Sequence, residues 1–123
     1  MVTALELVIK ALADATGLPT VSRVPTRNKD VFIRVEQAAP EAYSPSHDKV
    51  LLIVQVYGIL EKYDEVINTI GLVRDYLRFQ LPADVPNIVG WHEVSGPYEF
   101  PDPVIEETHT RWQLSGQAFH TLT

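Results

Sequence analysis

The stretch "VLLIVQVYGILEKYDEVINTIGLVRDYLRFQL", residues 50–81, changes its hydrophobic period near its middle. Residues 50–56 are apolar at nearly every position, which is typical of a strand that is covered on both faces. After Gly58 the apolar residues recur every three or four positions, as in an amphipathic helix. These are Val66, Ile70, Val73 and Leu77, with Ile67 and Tyr76 beside them. The sequence therefore predicts a central strand followed by a long helix.

The region before this strand begins with a second predicted helix. Thr3 and Glu6 have the spacing of a capping box, in which a hydroxyl and a carboxylate satisfy the first free amides of a helix. Gly17 supplies the stop signal. The segment "PTVSRVP", residues 19–25, follows and predicts a short strand at a sheet edge, because proline cannot donate to a strand ladder.

A polar turn, "TRNKD" (residues 26–30), leads into the next predicted strand, "VFIRVEQA". In that strand Val31, Ile33 and Val35 share one face, while Arg34 and Glu36 lie on the other. Residues 39–49, "APEAYSPSHDK", predict an irregular connection to the central strand.

The segments after the long helix predict two more strands and a second irregular connection. The strands are "NIVGWHEVSG" (residues 87–96) and "RWQLSGQAFHTL" (residues 111–122), and Gly116 in the latter indicates a bulge or close packing. Between them lies "GPYEFPDPVIEETHTRW", residues 96–112. An irregular connection of that length is uncommon in a compact domain and is usually functional or disordered.

This order of elements predicts an α+β fold, with a mostly antiparallel sheet and both helices packed on one face. No internal repeat or long low-complexity segment interrupts it, so we expect one domain over residues 1–123. The periodic apolar positions predict the core, which comprises Leu5, Val8, Leu12, Ile33, Val35, Leu52, Val54, Val66, Ile70, Val73, Leu77, Trp112 and Leu114.

The composition excludes several classes of protein. The chain has no cysteine, so thiolate nucleophiles, cysteine-bound zinc and disulfides are excluded, and this is compatible with a reducing cytoplasm. A net charge of −6 argues against phosphate-backbone binding as the main activity. The sequence has no run of about 18 apolar residues, so it predicts no membrane span. The first residues lack a basic start and a small-residue cleavage site, so we expect no secretory signal.

The chemically reactive side chains form no recognisable catalytic pattern. No two of the four histidines have the helical i, i+4 spacing of paired metal ligands, so we expect neither a metal site nor a cofactor. These histidines are His47, His92, His109 and His120. Glu106 and Glu107 are neighbouring acids in a polar segment, where carboxylates are ordinarily solvated. We therefore expect no enzymatic activity. A fold with a regular hydrophobic core, no visible active site and two long polar connections is typical of an interaction protein.

The succession of elements resembles the tail terminator (tail-completion) proteins of long-tailed bacteriophages. The clearest similarity is "GP", then "PDP", then an arginine and an aromatic residue at the start of the final strand. These are Gly96, Pro97, Pro101, Asp102, Pro103, Arg111 and Trp112. The strand "VFIRVEQA", leading through a serine-containing segment to the apolar strand, adds to the resemblance. The segment "PYEFPDPVIEETHT" departs from any diagnostic pattern in its aromatic and acidic residues.

The resemblance implies a virion protein of the neck region, made in the host cytoplasm, that forms a ring of typically six subunits at the head-proximal end of the tail tube. Such a ring binds the last ring of tube protein, stops tube growth and offers a head-tail joining surface to the connector or stopper. DNA passes through it without specific binding. Six copies would carry 6 × −6 = −36 charges, which is compatible with a lumen that does not hold phosphates.

The two irregular segments supply the predicted partner-binding residues. Tyr98, Phe100 and Asp102 come from residues 96–112, and Tyr43 and His47 come from residues 39–49. Prolines would restrict this backbone, and aromatic residues commonly anchor interfaces. The alternative interpretation of residues 96–112 is a solvent-exposed loop in which Phe100 packs on its own domain.

The sequence leaves two other functions open. The first is another neck component, such as a head-completion or stopper protein. The second is a cellular ligand-binding or enzymatic α+β domain with a pocket between sheet and helices, which would need convergent polar residues on the inward faces. Those faces instead carry valine, isoleucine, leucine and tryptophan.

Overall fold

The computed structural model describes residues 2–24 and 30–122 and has the predicted α+β architecture. Helices pack on one face of a six-stranded sheet in which five elements follow the order β1-β2-β4-β6-β5, and β3 pairs with β4 beside β2. Only the β1–β2 pair is parallel among the strands that the structure describes. The elements are α1 (Ala4–Thr16), β1 (Thr20–Val21), β2 (Phe32–Gln37), β3 (Glu41–Ser44), β4 (His47–Ile59), α2 (Tyr63–Phe79), α3 (Leu81–Asp84), β5 (Ile88–Glu99) and β6 (His109–Thr121).

The first helix begins and ends where the sequence predicts. The Thr3 hydroxyl accepts a hydrogen bond from the Glu6 amide at 3.2 Å, which satisfies one of the free donors of the first turn. Gly17 adopts a left-handed φ of 71°, and its amide donates to the Ala13 carbonyl. This is the C-terminal cap that glycine makes without steric strain.

The hydrophobic core lies between the helices and one face of the sheet. Alternate residues of β4 point to this face and are fully or almost fully buried against both long helices. Eleven of the thirteen predicted core residues are buried, and the other two, Leu5 and Trp112, are partly buried residues that pack against the core. β1 lies at one end of the sheet, as predicted for "PTVSRVP". Residues 26–29 of the predicted turn "TRNKD" lie outside the described residues.

The prediction that both faces of the central strand are covered is confirmed for one face and holds only in part for the other, where Gln55 and Tyr57 are buried. The helices cover the face that carries Leu52 and Val54, whereas Leu51 and Ile53 on the opposite face are only partly buried. We call this opposite side the open face. Its apolar residues reflect packing among neighbouring side chains of the sheet and not a second layer of helices.

Both predicted irregular connections are wrong over part of their length. Residues 41–49 form the β3–β4 hairpin. The strand β3 could not be predicted from the sequence, because it is an exposed edge strand without alternating apolar residues. In the second segment, β5 continues to Glu99 and β6 begins at His109, so the connection itself is residues 100–108. Bulges interrupt the alternation of β5, and Pro97 is tolerated there because β5 is an edge strand.

Candidate functional site

A ladder of polar side chains crosses four strands on the open face of the sheet. Arg34 on β2 donates to the Gln55 Oε1 atom at 3.3 Å, and Gln55 Nε2 donates to Gln113 Oε1 at 2.7 Å. Gln113 Nε2 in turn donates to the Tyr98 hydroxyl oxygen on β5 at 2.8 Å. Both glutamines are almost fully buried, and their amides are satisfied along this ladder. The ladder therefore fixes the position of Tyr98 relative to the sheet.

Arg111 organises the neighbouring part of the open face. Its Nε atom donates to the Phe100 carbonyl at 2.6 Å, and its Nη1 atom donates to the Tyr57 hydroxyl at 3.0 Å. A third donor, Nη2, reaches the Pro101 carbonyl at 3.4 Å. Arg111 is only 8% exposed, and a charge buried to this extent needs several partners. Arg111 therefore ties the beginning of residues 100–108 back onto the sheet.

Asp102 completes the arrangement around Arg111. The Tyr57 hydroxyl donates to Asp102 Oδ2 at 3.3 Å, and Arg111 Nη1 lies 3.8 Å from the same oxygen. The other carboxylate oxygen accepts from the Val104 amide at 3.0 Å, which shapes the following turn. Because these contacts engage both oxygens, Asp102 holds residues 100–108 in place on their own chain. Its predicted contact with a partner stays a prediction.

Tyr98 and Phe100 form an exposed aromatic pair above this network, and we refer to them as the aromatic pair. Their ring centroids are 5.9 Å apart with 25° between the ring planes. Arg111 lies beneath, with its guanidinium carbon 4.8 Å from the Phe100 centroid. Tyr98 remains 41% exposed and Phe100 45% exposed. Phe100 thus packs on its own domain with one side and presents the other to solvent.

Tyr43 and His47 lie at the other end of the sheet. Tyr43 packs edge-on against Phe119 at 5.1 Å, and His47 Nδ1 lies 2.9 Å from the Ser44 hydroxyl in the hairpin turn. His47 and Tyr57 are ten residues apart along β4 (57 − 47), which corresponds to roughly 33 Å at about 3.3 Å per residue. The structure therefore does not bring the five predicted partner-binding residues into one surface.

The titratable groups with shifted pKa values lie on the helix side of the sheet. Arg74 on α2 forms a bidentate pair with Glu93 on β5, at 2.8 Å and 2.9 Å. Hydrogen bonding from Arg74 holds the pKa of Glu93 below its ordinary value, against the opposing effect of burial. Burial, followed by its hydrogen bond to Glu99, raises the pKa of Tyr63. These pairs join α2 to β5.

The described part of the chain contains neither a metal-binding cluster nor a membrane-spanning helix. Among residues 2–24 and 30–122, no three histidine, aspartate or glutamate side chains are grouped so that they could hold a metal ion. Within the same ranges, no helix has both the length and the apolar character needed to cross a membrane.

The fold and the open face define a small α+β protein with an exposed aromatic pair held over a buried arginine. No protein-family model matches the chain, and no curated protein is significantly similar to it. The class of protein therefore has to be inferred from the fold and from the geometry of this site.

Sequence reasoning missed the polar ladder and the role of Arg111. One signal was present, since Gln55 interrupts the apolar run of the central strand and Gln113 alternates with apolar residues in the last strand. Their pairing depends on the register of β4 against β6, which places Gln55 directly opposite Gln113. A single sequence does not reveal that register.

Proposed function

We propose that the protein is a structural component of a long-tailed bacteriophage, namely the tail terminator. In this role it forms a ring at the head-proximal end of the tail tube, stops tube polymerisation and provides the surface for head joining. It performs no reaction. The observation that carries the proposal, beside the order of elements, is the aromatic pair of Tyr98 and Phe100, which is half exposed and held in place from beneath.

The aromatic pair has the properties of an interface anchor. Large aromatic side chains dominate the binding energy of many protein interfaces. Side chains that are already fixed lose little conformational freedom on docking, so more of their contact energy appears as affinity. Tyr98 is fixed by Gln113, and Phe100 is fixed by its own carbonyl contact with Arg111.

The charge around the aromatic pair supports a basic partner surface. Residues 96–110 contain Glu99, Asp102, Glu106 and Glu107 and no lysine or arginine. Asp102 is engaged by Arg111 and Tyr57, while the three glutamates are exposed. Complementary charge increases the rate of association and selects the correct partner. The tube protein or the connector would then present an apolar contact flanked by lysine or arginine.

The proposal is tested by complementation of a phage that lacks its terminator. The wild-type protein should restore tails of uniform length that join to heads, and electron microscopy should show it as a ring on those tails. Normal tails that join to heads only when the protein is added would instead favour another neck component. A protein that restores neither step, and is found on neither tails nor heads, would contradict a role in the neck.

A further inference from the structure

A trough runs along the outer side of the molecule between α1 and α2. It consists of two cavities of about 650 Å³ and 520 Å³, and Ala15 and Tyr76 belong to the walls of both. The trough lies on the helix side of the sheet, away from the aromatic pair. It is therefore a second surface, and its role is independent of the proposed function.

Two large apolar side chains in the lining of the larger cavity are exposed to solvent. Leu72 is 65% exposed and Phe79 is 67% exposed, and both line this part of the trough. The two residues are seven positions apart on α2, so they lie on the same face about 10 Å apart. The Arg78 guanidinium carbon lies over the Phe79 ring, 5.3 Å from its centroid. This spacing matches two successive turns of a partner helix.

The charges along the trough are mostly negative. Glu65 and Asp75 line the larger cavity, and Asp14 and Asp84 line the smaller one, where Lys10 is the single basic residue among the described lining. Arg78, which lies against the Phe79 ring, adds a second positive charge, so four carboxylates, one ammonium and one guanidinium give −4 + 2 = −2. None of the four acids forms a salt bridge with any residue that the structure describes.

Tyr76 sits where the two cavities meet and adds no charge to them. Its hydroxyl donates to Asp84 Oδ2 at 3.0 Å. Burial, followed by this hydrogen bond, raises the pKa of Tyr76 to about 12, so the phenol stays neutral. The trough therefore combines an apolar strip, a neutral aromatic centre and an acidic border.

We propose that this trough binds a basic amphipathic helix of a partner protein. Leucine, isoleucine or phenylalanine side chains of that helix would contact Leu72 and Phe79, and its lysines or arginines would face Glu65, Asp75 and Asp14. The negative border favours this occupant, because a helix with acidic flanks would meet like charges, which costs binding energy.

The test uses two synthetic helical peptides of equal length, one built of leucine and lysine and the other of leucine and glutamate. Titration calorimetry should show binding of the lysine peptide alone, and amide shifts in NMR spectra should map it to α1 and α2. Phe79→Ser should weaken binding by about tenfold or more. Phe79 is exposed, so this variant should stay folded, and Leu72→Ser provides a second variant with the same expectation.

A charge-matched control separates recognition from general attraction. Glu65→Lys with Asp75→Lys should abolish binding, whereas Glu41→Lys with Asp48→Lys changes the net charge equally in the β3–β4 hairpin, which lines neither cavity, and should leave most of the binding. Equal losses in the two double variants would overturn the proposal, as would equal binding of the glutamate peptide. Self-association of the wild-type protein that Phe79→Ser abolishes would also overturn it, because the occupant would then be a second copy of this chain.

Discussion

The Arg111 guanidinium donates to the Phe100 carbonyl at 2.6 Å and also lies beneath the Phe100 ring, 4.8 Å from its centroid. One buried charge therefore fixes both the backbone and the side chain of the residue that we propose as a docking anchor. The same guanidinium donates hydrogen bonds to the Tyr57 hydroxyl and the Pro101 carbonyl and lies close to the Asp102 carboxylate. The exposed aromatic pair thus depends on an interaction within its own chain.

Replacing Arg111 with lysine should loosen residues 100–108. Lysine keeps the charge but lacks the planar fork of donors, so it cannot reach the Phe100 carbonyl and the Tyr57 hydroxyl together. We expect a loss of about 1.5–3 kcal/mol in the free energy of unfolding. The Phe100 amide, which donates to the Arg111 carbonyl, should exchange faster with deuterium. Unchanged stability and exchange would show that Arg111 does not hold this connection.

Gly116 allows Trp91 to pack on the sheet. A methyl group at Gly116 would overlap the Trp91 ring, and overpacking of this kind commonly costs about 1–3 kcal/mol. Gly116→Ala should therefore lower the midpoint of urea unfolding. Gly71→Ala is the matched control, because nothing lies within 4 Å of that position and alanine in a helix is favoured over glycine by about 0.5–1 kcal/mol. Similar effects of the two variants would contradict the packing at Gly116.

Two leucines of α2 allow the buried face of that helix to be tested. Leu77 is fully buried in the core, whereas Leu72 is 65% exposed. Leu77→Asp would bury an unpaired charge and should prevent folding. Leu72→Asp should cost less than about 1 kcal/mol, as is usual for a surface substitution. Circular dichroism and thermal unfolding distinguish these outcomes, and a folded Leu77→Asp protein with an unchanged thermal midpoint would contradict the assigned face.

The Arg74–Glu93 pair should give the protein a stability that depends on acid pH. The pKa of Glu93 is lowered from its ordinary value of 4.5 in the folded state. Its contribution is therefore fully present above pH 4.5 and is lost as the pH falls through the lower, folded value. The free energies of unfolding of the wild type and Glu93→Gln should differ at neutral pH and converge in acid. A difference that stays constant from neutral pH into acid would show that the pair is not responsible.

The sequence predicted the helix side of the sheet well and the open face poorly. The period of the residues in α2 follows from burial against a sheet, and the capping residue Thr3 and the stop at Gly17 act locally. Each of these signals lies within a few residues of the structure that it specifies. The fold class, most of the core and the edge position of β1 could be predicted for this reason.

The open face depends on which residues oppose each other across strands, and that information is not local. The partners Gln55 and Gln113 are 58 positions apart, and Tyr57 and Arg111 are 54 apart. The exposed strand β3 and the bulged end of β5 lack the alternation that marks a half-buried strand. Tyr98 and Phe100 could be chosen from the sequence as exposed aromatics, but their support by Gln113 and Arg111 could not.

The central claim is that the aromatic pair docks the protein onto the phage tail or the head connector. Phe100→Ala tests it more cleanly than a change at Asp102, because Asp102 holds Tyr57, Arg111 and Val104. Loss of one well-buried interface aromatic commonly costs about 2 kcal/mol or more, and a ring repeats that loss in every subunit. Leu122→Ala is the control, since Leu122 is 48% exposed, close to the 45% of Phe100, and follows the far end of β6.

The decisive measurement is complementation of a terminator-deficient phage with each variant, with counts of infectious particles and electron microscopy of tail lengths and head joining. Leu122→Ala should behave as the wild type, while folded Phe100→Ala should give few infectious particles. Overlong tubes would show that the aromatic pair faces the tail tube, and normal tubes without heads would show that it faces the connector. Normal tails and a normal yield of infectious particles from folded Phe100→Ala would contradict the claim.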